Sequence, residues 1–330
     1  MNETYGHTPK SVFQQPIWVV AFALTAAVLW GFAYPLIKLG FVAYGITPSM
    51  TGSKMLFAGI RFCLSGLIIL AIARATGRSF RWKSPRKGTL FLTVFSLLNT
   101  TLHYAFFYFG LSHSDGARAA ILNSMSVFLL VLMACLCFES DRLTLRKAAG
   151  CVIGFAGIVS LGMGKASTAG FTLLGDGMIV LNALCSAMAG LMTRGLGKRI
   201  DVFVGTGYAL ALGGALLILP GLACGGTLPH ITPHGLAILA MLVCISTTGF
   251  ALYNKLLTCN PVGRVAIFNS LIPVIGAVSS CGVLQEPFYW KYVWAGLLSA
   301  LGIFIANRGK KEPCQRTFSG NRHAIICVSE

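Results

Sequence analysis

Two stretches, "TTLHYAFFYFGLSHSDGARAAILNS" (Thr100–Ser124) and "STTGFALYNKLLTCNPVGRVAIFNS" (Ser246–Ser270), align without a gap at a shift of 146 residues. Eight of the 25 positions are identical: Thr101, Ala105, Leu111, Arg118, Ala120, Ile121, Asn123 and Ser124, each with its mate. The repetition is densest in "RAAILNS" and "RVAIFNS", where an Arg opens an apolar phrase that closes on Asn-Ser. A chain that writes this phrase twice is read as two related halves.

The composition says what medium those halves occupy. The 330 residues are 55% hydrophobic and 11% charged, with a mean hydropathy of +0.76. A water-soluble domain carries about 25% charge. Several apolar runs exceed the roughly 18 residues that mark a membrane-spanning candidate. In hydrocarbon the backbone must satisfy its own hydrogen bonds within each segment, so such runs are helices. The fold class expected is an all-α polytopic membrane protein with ten transmembrane helices. They are placed at Pro16–Phe41, Lys54–Ala73, Gly88–Leu111, Ala117–Phe138, Leu145–Met163, Leu174–Leu196, Val202–Leu222, Leu236–Leu257, Val262–Leu284 and Phe288–Ala306. The first is too long for a signal-peptide core and is read as retained.

The net charge of +17 is not a nucleic-acid footprint. With the N-terminus inside, twenty of the 26 Lys and Arg fall on one side of the predicted membrane. They include Arg74 to Lys87, Arg142 to Lys147, Arg194 to Arg199 and the tail from Arg308. This positive-inside bias puts both termini in the cytoplasm, and the expected location is the cytoplasmic (inner) membrane. Membrane lipid is the expected surround. Most of the 11 cysteines lie inside spans and are read as small packing residues.

The halves divide as a polar segment 1–15, a first five-helix repeat 16–165, a second 172–309 and a cytoplasmic tail 310–330. Glu139 and Glu286 follow related apolar spans and are read as end-of-helix ties or gate elements. Five crossings per half is odd, so the second half must be inverted relative to the first. Inverted repeats with a site between them are a recurring plan of secondary transporters.

The order of further motifs resembles the drug/metabolite transporter superfamily, in particular its EamA-type family. The matching residues are "LWGFAYPLIKLG" (29–40), "FAGIRF" (57–62), "FYFGL" (107–111), "GFAGIVSLG" (154–162), "LLGDG" (173–177) and "NSLIPVIGAVSSCGVLQE" (269–286). This resemblance implies a carrier of small metabolites, often an exporter of amino acids or related compounds. The substrate itself stays open.

Candidate substrate contacts come from polar and aromatic residues at membrane depth, which tend to face the bundle interior. Trp30, Tyr34 and Lys38 recur every four residues on one face of the first span. Pro35 frees the carbonyl of Gly31 and invites a kink toward a cavity. In the third span Asn99 and His103 form one four-residue step, and Tyr104 and Tyr108 a neighbouring one. The second half contributes Asn182, Thr247, Asn254 and Asn269. Arg61 and Lys38 are read either as partners for a substrate carboxylate or as structural ties, and Arg118 and Arg264 as caps and headgroup contacts. An aromatic wall from one half and a small polar wall from the other suit an amphipathic metabolite.

None of the nine acidic residues falls near the middle of a span, which leaves His103 as the proton-switch candidate. Facilitated diffusion or exchange is the simpler expectation. His230 and His234 lack a third ligand nearby and Gly150, Gly154 and Gly157 read as helix packing. No Walker motif appears, so no cofactor, metal or ATPase partner is implied. The reading is a small-molecule secondary transporter and not an enzyme. An exchanger of phosphorylated or nucleotide-linked anions, a channel and an intramembrane enzyme stand as alternatives.

Overall fold

The computed structural model describes residues 12–81, 85–137, 144–160, 171–197, 199–260, 265 and 267–307. Arg264, Glu139, the joint between the halves from 164 and both tails lie outside the described residues. Within them all regular structure is helical. In chain order the helices are α1 (Pro16–Tyr44), α2 (Thr51–Ala75), α3 (Pro85–Ser96), α4 (Leu102–Ser112), α5 (Gly116–Asn123), α6 (Met125–Cys137) and α7 (Leu145–Ser160). Then come α8 (Met178–Leu196), α9 (Val202–Ala223), α10 (Pro233–Cys259), α11 (Ile272–Leu284) and α12 (Trp290–Asn307).

Among the described residues seven helical stretches are long and apolar enough to cross a membrane, including Lys87–Ser112 and Gly116–Cys137, while Ile272–Leu284 and Trp290–Ile305 are apolar but shorter. The protein is therefore a multi-pass helical membrane protein. Two stretches carry π-helical turns, Leu97–Thr101 between α3 and α4 and Leu173–Gly177 ahead of α8. Each inserts a wider turn and resets the side-chain register after it. α1 stops where Gly45 turns left-handed at φ 67° and its amide bonds back to Phe41 and Val42, a conformation that glycine adopts without Cβ strain.

Packing is by closely approaching small residues. Gly52, Gly59 and Gly66 of α2 recur every seven residues, and so do Gly207, Gly214 and Gly221 of α9. A Cβ on Gly59 would lie 2.8 Å from the carbonyl oxygen of Gly214, and one on Gly66 would lie 2.6 Å from that of Gly207. Lipid gives no hydrophobic drive for helix association, so contact of this closeness supplies it through dispersion. α7 and α12 meet in the same way, with Gly150 and Gly154 against Gly302 and Gly157 against Ala295. The packing expected of the Gly150 motif is what the structure has. α1 lies against α10 and α11, α8 against α4 and α6, and α5 against α11.

Pro35 does sit inside α1, but the Gly31 carbonyl does not open onto a cavity. Ser279 of α11 donates to it at 3.4 Å, and Ile275 packs over Gly31. A hydroxyl from a neighbouring helix thus takes up the bond that proline removes.

Substituting Gly59→Leu is expected to drive a side chain into the α9 backbone and lower stability by about 1–3 kcal/mol or more. Gly282→Ala, at a position with no atom within 4 Å of a built Cβ, should leave the melting temperature nearly unchanged. Thermal unfolding of the purified variants in detergent checks both.

Candidate functional site

The centre of the bundle holds a chain of polar side chains threaded through aromatic rings. Asn123 of α5 donates to the hydroxyl of Tyr34 at 2.8 Å, and Asn182 of α8 donates to the Asn123 carbonyl oxygen at 2.6 Å. Tyr34 meets Phe107 edge to face at 5.4 Å. His103 lies against the backbone of Asn182 and edge-on to Tyr104, while Tyr104 stacks on Phe62 at 3.8 Å. Trp30 packs against Phe250 and Tyr253 of α10.

Arg61 enters this cluster from α2 and is 3% exposed. Its Nε donates to the Leu242 carbonyl at 3.2 Å and to Ser246 Oγ at 2.9 Å, and Nη1 donates to the Tyr108 hydroxyl at 2.8 Å. All three acceptors are neutral. Among the described residues no carboxylate lies within ion-pair distance of it.

Most buried polar groups in proteins find a partner, and those that do not call for an explanation. Four of the sequence-predicted residues carry such an atom: Trp30 Nε1, His103 Nδ1, Asn182 Oδ1 and Thr247 Oγ1 are buried with no hydrogen-bond partner among the described residues. Together with Arg61 they give donors, acceptors and a cation set among rings. That arrangement can orient a small molecule that has an apolar body and a polar end.

A second polar cluster closes the end of the bundle at which α1 finishes. Glu286, just after α11, accepts from Lys38 Nζ at 2.9 Å and from the amides of Gly116 and Ala117 at 2.9 and 3.2 Å. Its carboxylate therefore pairs a lysine and also faces the first amides of α5, where a negative charge is favoured. The next residue, Arg118, grips Asp176 through two bonds of 2.8 and 2.7 Å. Asp176 is 1% exposed and also accepts from the Thr172 amide at 3.0 Å. Asp115 accepts from the Tyr292 hydroxyl at 3.3 Å. These contacts tie α1, α5, α8, α11 and α12 at one end.

The sequence-predicted residues thus separate into groups. Trp30, Tyr34, Arg61, His103, Tyr104, Tyr108, Asn182 and Thr247 belong to the central cluster or border it. Lys38 does not face that cluster; it is held by Glu286, which is the structural-tie alternative. Asn99 is separated from His103 because the π turn interrupts their four-residue step. Asn99 donates to Thr100, whose hydroxyl reaches the Ala209 carbonyl of α9, whereas His103 faces α8. Asn254 donates to Thr206 of α9 at 2.8 Å, and Asn269 donates to Tyr253 at 2.7 Å. Arg118 makes an ion pair in place of the expected headgroup contact.

Four central participants escaped the sequence reading as site residues: Asn123, Phe107, Phe62 and Ser246. Asn123 had a signal, since it is the repeated Asn of the opening phrase. Both repeated asparagines do the same thing, donating to a tyrosine hydroxyl.

The buried polar-aromatic cluster lies inside a multi-pass helical membrane protein, and comparison with known proteins gives its class and family. The sequence profile of the EamA-like transporter family matches residues 17–163 and again residues 173–308. The chain belongs to the EamA-like transporter family. It is 26% identical over 296 residues to the uncharacterized transporter YvbV of Bacillus subtilis, covering 86% of this chain and 90% of that one. An uncharacterized transporter of Archaeoglobus fulgidus is 23% identical over 296 residues, covering 88% and 98%. A solved crystal structure superposes with a TM-score of 0.64 over 87% of this chain and 95% of that chain, at 18% identity, and so shares the fold.

Asp176→Asn removes the counter-charge of an arginine whose side chain is 11% exposed. Breaking one member of a buried pair costs about 3–5 kcal/mol. The paired change Arg118→Met with Asp176→Leu should recover most of that loss, because no charge is left stranded. Melting temperatures of the single and double variants decide it: equal destabilisation in both would remove the ion pair from the account.

Proposed function

We propose that this chain is a secondary transporter that moves a small amphipathic metabolite, an amino acid or related compound, out of the cell by alternating access. The observation that carries this reading is the central cluster itself, with its buried atoms Trp30 Nε1, His103 Nδ1, Asn182 Oδ1 and Thr247 Oγ1 left without partners. Such groups are costly in hydrocarbon unless something else satisfies them.

The arrangement of helices supports two inverted five-helix halves, residues 16–165 and 172–309, within a ten-span bundle. The family profile matches twice, once in each half. The contacts of α1 with α10 and α11 have their counterparts in those of α8 with α4 and α6, while α2 pairs with α9 and α7 with α12. Related packings that exchange roles give a carrier its two states. In this reading the Lys38–Glu286 and Arg118–Asp176 pairs form the closed gate of one state, and their separation belongs to the other. Both termini lie in the cytoplasm of a cell with the protein in its inner membrane, as the basic loops favour.

Exchange in proteoliposomes tests the reading. Vesicles holding the purified chain are loaded with unlabelled amino acids, aromatic acids, amines, nucleosides or phosphorylated metabolites, and uptake of the labelled partner is followed. We expect saturable counterflow for an amphipathic class. Tyr34→Ala and His103→Ala are expected to lower it about tenfold, the weight of one ~1.4 kcal/mol contact. Counterflow confined to phosphorylated anions would favour an anion exchanger, and unsaturable flux would favour a channel.

A further inference from the structure

Arg61 is a buried guanidinium inside the central cluster whose charge no described carboxylate answers. A charged side chain at membrane depth is costly, pairs with other charges or with backbone carbonyls, and marks a functional site. Here the other central and near-central cations are committed elsewhere. Lys38 pairs with Glu286 and Arg118 with Asp176. Lys54 donates to the Pro48 carbonyl and sits 4.6 Å from the centre of the Phe109 ring. Arg61 uses Nε and Nη1 on neutral acceptors, and its Nη2 makes no hydrogen bond among the described residues. The hydroxyl of Tyr104, whose ring stacks on Phe62 and lies 6.4 Å from that of Tyr108, likewise makes none among them.

We propose that Arg61, with the Tyr104 hydroxyl beside it, is the subsite that holds the carboxylate of the transported metabolite, whose apolar or aromatic body lies against the neighbouring rings. This rests on the transporter reading and narrows its substrate class to monocarboxylates. A guanidinium offers a planar fork of N–H donors matched to a carboxylate, and the charge that it answers is single. A phosphate dianion would call for further cations, and Lys38, Arg118 and Lys54 are already engaged. The rings that border the fork are Phe62, 4.8 Å from the guanidinium carbon, and Tyr104 stacked upon it. A ligand ammonium is optional: neutral acceptors, Asn182 Oδ1 and Thr247 Oγ1, are present for it, so free acids and amino acids both qualify.

Three matched compounds separate the possibilities: 3-phenylpropionate, phenylalanine and phenethylamine, with inorganic phosphate as a fourth. The full chain in detergent is heated with each. The first two should raise the melting temperature, whereas phenethylamine and phosphate at equal concentration should not. Arg61→Gln should abolish the shift, and Arg61→Lys should raise the half-maximal concentration about tenfold, the loss of one charge-assisted hydrogen bond. Where Arg61→Gln fails to fold, Arg61→Lys decides. An equal response to phenethylamine, a response to phosphate alone, no response to any of the four, or an Arg61→Lys half-maximal concentration equal to wild type overturns the subsite. Counterflow of some other class in vesicles would still leave the transporter reading standing, and its absence for every class would end that reading too.

Discussion

Inside a bilayer there is no water to satisfy a polar group, and nearly every feature of this bundle follows from that constraint. Serine and threonine hydroxyls turn back to backbone carbonyls, as Ser65 does to Arg61 and Ser279 does to Gly31. Asparagines pair with tyrosines across helices. Carboxylates are buried only with a cation or an amide row, as Asp176 and Glu286 are. Of the buried side-chain atoms left without a partner among the described residues, those of Trp30, His103 and Asn182 lie with the guanidinium of Arg61 in or beside the central aromatic cluster, and Thr247 follows the Ser246 that Arg61 binds.

The two polar clusters differ in kind. At the end where α1 finishes, charges of both signs meet in pairs and Glu286 joins three helices, so the charges there are matched within the protein and hold its helices together. The central cluster has a cation with no described carboxylate. Matched charges suit a gate, whose closed form needs no ligand, and an unmatched one suits a binding region. Interhelical hydrogen bonds in membranes average about 0.6 kcal/mol, so the Asn–Tyr links hold position without fixing the bundle in one state. Close glycine contacts hold α2 against α9 and α7 against α12.

Much of the fold was legible in the sequence because apolar length is a one-dimensional property. The run Val202–Leu222 became α9, ending one residue later at Ala223, and Leu145–Met163 became α7. The Gly150 motif was legible for the same reason, since its spacing matters only along one helix. What escaped depends on meetings between distant segments or on departures from the 3.6-residue period. No local pattern joins Arg118 to Asp176 or Lys38 to Glu286. The π turn at Leu97–Thr101 spoiled the Asn99–His103 step by changing the period on which that step relied. Asn123 was visible as a repeated letter, but its tyrosine partner lies on another helix.

Pulsed electron–electron distance measurement in a background freed of native cysteines tests alternating access most directly. One pair of spin labels spans the gated end at Ser49 and Pro287, and another spans the opposite end at Gln15 and Gly197. The account predicts that Arg118→Gln with Glu286→Gln lengthens the first distance and shortens the second. Unchanged distributions at both ends in a folded variant would contradict it, and the ion pairs would then be struts in a bundle that moves some other way.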